Sequence, residues 1–148
     1  MREEKINIKK LNEKAIIPTY GSEYAAGADL YANLEEKEVI NPGETKFIKT
    51  GLSLEIPTGL VGLVFARSGL SCKQGLAPAN KVGVIDSDYR GELIVALYNQ
   101  SQEIREVNHG DRIAQIAFIP YVKGVFNEVD NLNDTNRGQG GFGSTGSR

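Results

Sequence analysis

The chain has 148 residues, 40% hydrophobic and 24% charged, which suits one domain with a real core and leaves too little for two. A formal net charge of −2 offers no overall attraction to DNA, RNA or an anionic membrane, so any polyanionic ligand must be met by locally concentrated positive charge. A single cysteine, Cys72, excludes an internal disulfide, and with one histidine, His109, it cannot make a zinc site.

The opening MREEKINIKK is charged throughout, unlike a signal peptide, and no run approaches a membrane-spanning length. The cytoplasm is the expected compartment. KINIK (5–9) alternates, with Ile6 and Ile8 on one face. EVINPG (38–43) runs into a Pro-Gly turn, and TKFIKTG (45–51), LSLEIP (52–57) and VGLVFA (61–66) follow as separate strands. SGLSCKQG (68–75) predicts one or two helical turns, with Ser68 as N-cap, Gly75 as the stop and Cys72 as a small buried side chain. KVGVID (81–86) and ELIVALYN (92–99) predict the two strands of a hairpin whose tip carries Asp86, Asp88 and Tyr89. RIAQIAFIP (112–120) and YVKGVFNEV (121–129) close the series, with Ile113 and Ile116 as core. Many short strands at even spacing predict an all-β sandwich or barrel, and no long helical period supports an α/β nucleotide fold. After Val129 the strand pattern stops and residues 137–148 contain five glycines, which predicts a flexible C-terminal arm over 130–148 beside a barrel domain over 1–129. Phe142 inside that glycine tract is costly to leave in water, so the arm is expected to close on something.

Several segments have the composition of a site. Arg67 in ARSGL (66–70) has a planar fork for phosphate oxygens, Ser68 a hydroxyl donor, and Gly69 a backbone N–H that a ligand can approach. Taken alone, an Arg ion pair and a Ser cap explain that segment as well. Asp86 and Tyr89 stand side by side at a loop tip, where function tends to sit, although turn aspartates usually cap backbone and a neighbouring Tyr usually packs. Gln115 in GDRIAQ (110–115) is a polar contact or an outward-facing strand residue, and Arg112 reads as a structural ion-pair partner. Asp29 in AGADLYA (26–32) reads as a turn or strand-end cap, with Leu30 buried. Gly138, Gly140 and Gly143 spell G-x-G-x-x-G, but the strand and helix that a dinucleotide site needs are missing. An EF-hand starting at Asp86 would need an acid where Leu97 stands.

AGADLYA, ARSGL, GVIDSDYRG (83–91), GDRIAQ and RGQGGFGSTG (137–146), in that order, resemble the five motifs of the trimeric dUTP diphosphatases, the dUTPases, across residues 26–146. One departure is Ala66, where that family commonly has Pro before the Arg-Ser-Gly of its second motif.

The resemblance implies a distorted jelly-roll barrel assembled as a homotrimer, with sites at subunit interfaces. It implies hydrolysis of dUTP to dUMP and pyrophosphate, with Asp86 activating water for attack on the α-phosphorus. Arg67, Ser68, Gly69, Gln115 and Arg137 would grip phosphate. Phe142 would stack on uracil while Gly143, Ser144 and Thr145 close over the triphosphate. The backbone of the 80–86 arm, through Gly83, Val84 and Ile85 with Asn80 helping, would read the pairing edge of uracil. Tyr89 would floor the deoxyribose and exclude a 2′-hydroxyl. Mg²⁺ would sit mainly on the substrate phosphates and reach Asp29 through water. No nucleic-acid or membrane partner is implied. Two rivals remain: a dCTP deaminase of the same fold, which works with a Glu, and a non-catalytic nucleotide-binding or partner-regulating protein.

Overall fold

The computed structural model describes residues 3–143. Eleven strands and one helix are ordered β1 (Asn7–Lys10), β2 (Thr19–Tyr20), β3 (Ala28–Tyr31), β4 (Glu38–Ile40), β5 (Thr45–Glu55), β6 (Leu60–Phe65), α1 (Ser68–Gln74), β7 (Leu76–Pro78), β8 (Gly83–Ile85), β9 (Glu92–Asn99), β10 (Arg105–Val107) and β11 (Arg112–Pro120). They form a four-stranded sheet β1-β5-β9-β7, a five-stranded sheet β2-β3-β11-β6-β8 and a small pair β10-β4, with antiparallel pairing throughout. The two larger sheets enclose one core. Ile48, Leu54, Val95 and Leu97 come from one sheet and Leu30, Leu60, Val64 and Ile116 from the other. The strict inside-outside alternation of β6 and β9 follows from the period-2 pleat, one face of each strand meeting the core. This is an all-β architecture consistent with a distorted jelly roll.

β9 and β11 occupy the predicted residues end to end. The separate strands expected at 45–51 and 52–57 are one strand, β5, interrupted by an irregularity between Lys49 and Ser53. Gly51 makes this possible: its φ of 69° lies in the left-handed region, and a Cβ there would run into the side chains of Asn33 and Ala15. Its carbonyl accepts from Leu11 N–H at 2.7 Å and its N–H donates to Glu92 Oε1 at 3.0 Å, so the kink is bonded on both sides.

The hairpin expected over 81–99 is not one. β8 pairs with β6 at the edge of the five-stranded sheet, whereas β9 lies in the four-stranded sheet between β5 and β7. The Asp86–Gly91 loop therefore carries the chain from one sheet to the other. An apolar run, a turn and a second apolar run look the same locally in both arrangements; only long-range pairing tells them apart. Residues 121–129, expected as a strand, make no ladder within the chain, and Val122, Val125 and Phe126 are almost wholly exposed.

Candidate active site

The sites expected from sequence lie at opposite ends of the five-stranded sheet. At one end the ladder row Asp29↔Gln115↔Phe65 sets three side chains on one face of β3, β11 and β6. Two residues beyond Phe65, Arg67 stands in an extended conformation at the start of α1. Its Nε donates to Asp29 Oδ1 at 2.8 Å, and its Nη1 reaches the Arg112 carbonyl at 3.5 Å. Arg112 Nη1 donates to the other oxygen, Asp29 Oδ2, at 3.3 Å. Asp29 is thus neither a strand-end cap nor free: each oxygen holds one guanidinium. Arg112 has the ion pair expected of it. A cleft of about 300 Å³ lies beside the two arginines, also lined by Gln74, Glu106 and Asp111.

Gln115 donates from Nε2 to the Ala66 carbonyl at 2.9 Å, bracing the turn into Arg67. Ser68 is the first residue of α1 rather than its N-cap; Arg67 holds the cap position and no side chain caps it. Ser68 and Gly69 are exposed, and the space above Gly69 is open, so both are available to an outside molecule. Gly75 ends the helix in the left-handed conformation as expected. Cys72, expected to be buried, is exposed, because the two-turn helix lies on the surface with no buried residue of its own.

At the other end, Gly83 packs against Val64 so closely that a Cβ would sit 3.2 Å from its Cβ. Asn80 lies in the turn before it, where Val82 N–H bonds to the Asn80 carbonyl at 2.7 Å. Val84, Ile85, Asp86 and Tyr89 line a cleft of about 200 Å³ with Glu92, Leu93 and Ile94. Asp86 does not cap the turn with its side chain. The Tyr89 N–H bonds to the Asp86 backbone carbonyl at 3.2 Å, and the exposed carboxylate has no partner among the described residues. The Tyr89 hydroxyl donates to the Glu92 carbonyl at 2.9 Å and its ring covers Gly91, where a Cβ would overlap it. Neither Glu92 nor Gly91 stands out in the sequence; both set the ring that does. Glu92 itself accepts from Gly51 N–H.

The two clefts share no residue. Ile85 sits opposite Gly62, and Arg67 lies five residues on from Gly62, just past the end of β6. At about 3.3 Å per residue the two ends are about 17 Å apart, and Asp86 is further still. Within one chain, the Arg67 and Asp86 ends therefore form two separate places along the sheet.

Arg137 stands on the exposed stretch after β11, its Nε donating to the Gly140 carbonyl at 2.8 Å, and Phe142 is fully exposed. Gly143 is the last residue described; Ser144 and Thr145 lie outside the described residues. No group of three or more His, Cys, Asp or Glu side chains suited to a metal occurs among the described residues. None of their helices is long and apolar enough to cross a membrane.

The chain matches the family described as dUTPase over residues 13–146. It is 55% identical over 131 residues to a deoxyuridine 5′-triphosphate nucleotidohydrolase of Desulfitobacterium hafniense, covering 88% of this chain and 87% of that one. A protein of the same name from Nautilia profundicola is 49% identical, with 96% of this chain and 99% of the other covered. Among solved structures, the dUTPase of Staphylococcus bacteriophage 80alpha with dUPNHPP superposes with a TM-score of 0.87 at 28% identity, covering 97% of this chain and 99% of that one.

Proposed function

The chain belongs to the dUTPase family and hydrolyses dUTP, and we propose that it does so by water attack on the α-phosphorus with Asp86 as general base. The observation that carries this reading is the Asp86 carboxylate in the Tyr89 cleft, which has no partner among the described residues. Its lone pairs are not spent on the described residues, so it can accept a proton from water. As the new oxygen–phosphorus bond forms, the bond from the α-phosphorus to the bridging oxygen breaks and pyrophosphate leaves. Such a displacement asks mainly for alignment and neutralised charge. Arg67, Ser68, Gln115 and Arg137 are the candidates to supply these, with Gly69 giving backbone access. Two arginines around one Asp29 bring two guanidiniums to the edge of a cleft that Glu106 and Asp111 also line, in a chain that is acidic as a whole.

The separation of the two clefts supports assembly. We infer a homotrimer in which the Arg67 end of one copy meets the Asp86 end of another, and the segment after Pro120 reaches across as the arm. Phe142 would then stack on uracil, with Gly143, Ser144 and Thr145 over the phosphates. Gly83, Val84 and Ile85, with Asn80, would present backbone groups to the uracil edge. A site built on such bonds rejects a base with the wrong pattern, because mismatched polar groups stay unpaired.

We assign Mg²⁺ to the substrate phosphates rather than to a protein cage, which suits its preference for phosphate and water oxygens. With each Asp29 oxygen already bonded to an arginine, the residue fits contact through a coordinated water and not direct ligation. When bound, the ion adds charge neutralisation at the phosphates.

The test is pyrophosphate release from dUTP, dCTP, dTTP and UTP. Turnover of dUTP alone is expected. Comparable turnover of dCTP or dTTP would defeat the backbone-readout argument, and ammonia from dCTP would indicate deaminase chemistry instead.

A further inference from the structure

Gln115 is expected to touch phosphate, yet within the chain one of its amide N–H groups already has a partner. Its Nε2 donates to the Ala66 carbonyl at 2.9 Å, and since a carbonyl only accepts, the amide nitrogen must face it. That carbonyl belongs to the peptide plane joining Ala66 to Arg67. Holding it sets the direction in which Arg67 leaves the sheet. The amide is confined from behind as well: a Cβ at Gly27 would overlap Gln115 Oε1 and lie 3.0 Å from Cδ. A neighbour with no side chain thus gives the amide its place. Arg67 then has two further anchors, Asp29 Oδ1 at Nε and the Arg112 carbonyl at Nη1.

We propose that Gln115 is a positioning residue, a latch on the Ala66–Arg67 peptide that aims the Arg67 guanidinium, with Gly27 as the space that lets it close. The catalytic meaning of that aim rests on the function proposed above; the latch itself does not. Proline would stiffen φ at residue 66, whereas alanine leaves it free. In this chain, therefore, the side-chain bond carries the stiffening. A latch of this kind predicts an effect in the protein without nucleotide, where a phosphate contact predicts none.

The reporter is the Arg67 Nε–H proton, protected by its bond to Asp29. Its solvent exchange is measured by NMR in the nucleotide-free, full-length protein for the parent, Gln115→Leu, Gly27→Ala and the double variant Gln115→Leu with Ala66→Pro. Exchange should quicken about fivefold in the first two variants, the factor one net hydrogen bond is worth. Proline at 66 follows Phe65, which is already in a strand and so in the conformation that precedes proline readily; it should slow exchange again. With dUTP, the single variants should raise KM more than they lower kcat, and the double variant should recover part of the loss. Unchanged Arg67 exchange in both folded single variants overturns the latch. If the parent protein left dUTP intact while exchange still quickened, the functional reading would fall and the latch would stand. Gly27→Ala keeps the test open should Gln115→Leu not fold.

Discussion

At the Arg67 end of the five-stranded sheet, three charged side chains and one glutamine bond one another and the backbone before any ligand arrives. At the Asp86 end, the acid has no partner among the described residues, while Tyr89 and Arg90 beside it are tied to the loop backbone. The difference matches two kinds of work. Gripping a flexible polyanion benefits from cations fixed in advance, because each side chain ordered beforehand is entropy not lost on binding. A base must keep its lone pairs for a proton. The first end is therefore dense with bonds between its charged groups, and the second keeps its acid bare.

Asp86→Asn attacks the bare end and should have the largest effect. Binding should persist while kcat falls about 10²–10⁴-fold, or about 2.7–5.4 kcal/mol of barrier. A loss under tenfold in a folded variant would mean that another group activates the water. Asp29→Ala attacks the dense end, leaving two guanidiniums without their shared acceptor. Since Asp29 and Arg67 are both largely buried, urea unfolding at fixed protein concentration should show a loss of about 1–3 kcal/mol. No loss would mean that the cluster is not pre-formed. Tyr89→Ala should narrow the preference for dUTP over UTP about tenfold, the scale of one removed pocket contact. An unchanged ratio would place the sugar gate elsewhere. Smallest of all, Cys72→Ser on the exposed helix face should stay within about 0.5 kcal/mol in stability and leave turnover alone; a large change in either would show that this face is covered in the assembly.

Legibility in the sequence followed the range of the signal. β9 and β11 were readable end to end, because alternation along one strand is local. The split expected in β5 misread Gly51, whose positive φ bends a strand without ending it. The Asp86–Gly91 segment was recognisable as a turn, but the partner of a three-residue strand is chosen by the other sheet. The same limit applies to Asp29, whose partners lie 38 and 83 residues away; either reading of a lone acid there missed two arginines that converge only in the fold. Val122, Val125 and Phe126 read as strand residues, yet they are exposed because no part of the described core covers them.

The claim at the centre is that one nucleotide is held by the dense end of one copy and the bare end of another. Mixing Asp86→Asn chains with Arg67→Ala chains, each inactive alone, under conditions of proven subunit exchange tests it directly. Sites that take Arg67 from the first variant and Asp86 from the second are intact. Random assortment makes them about a quarter of all sites, so dUTP turnover should return to about a quarter of the parent level. No recovery would mean that Arg67 and Asp86 serve the same nucleotide from within one chain, contrary to the separation along β6.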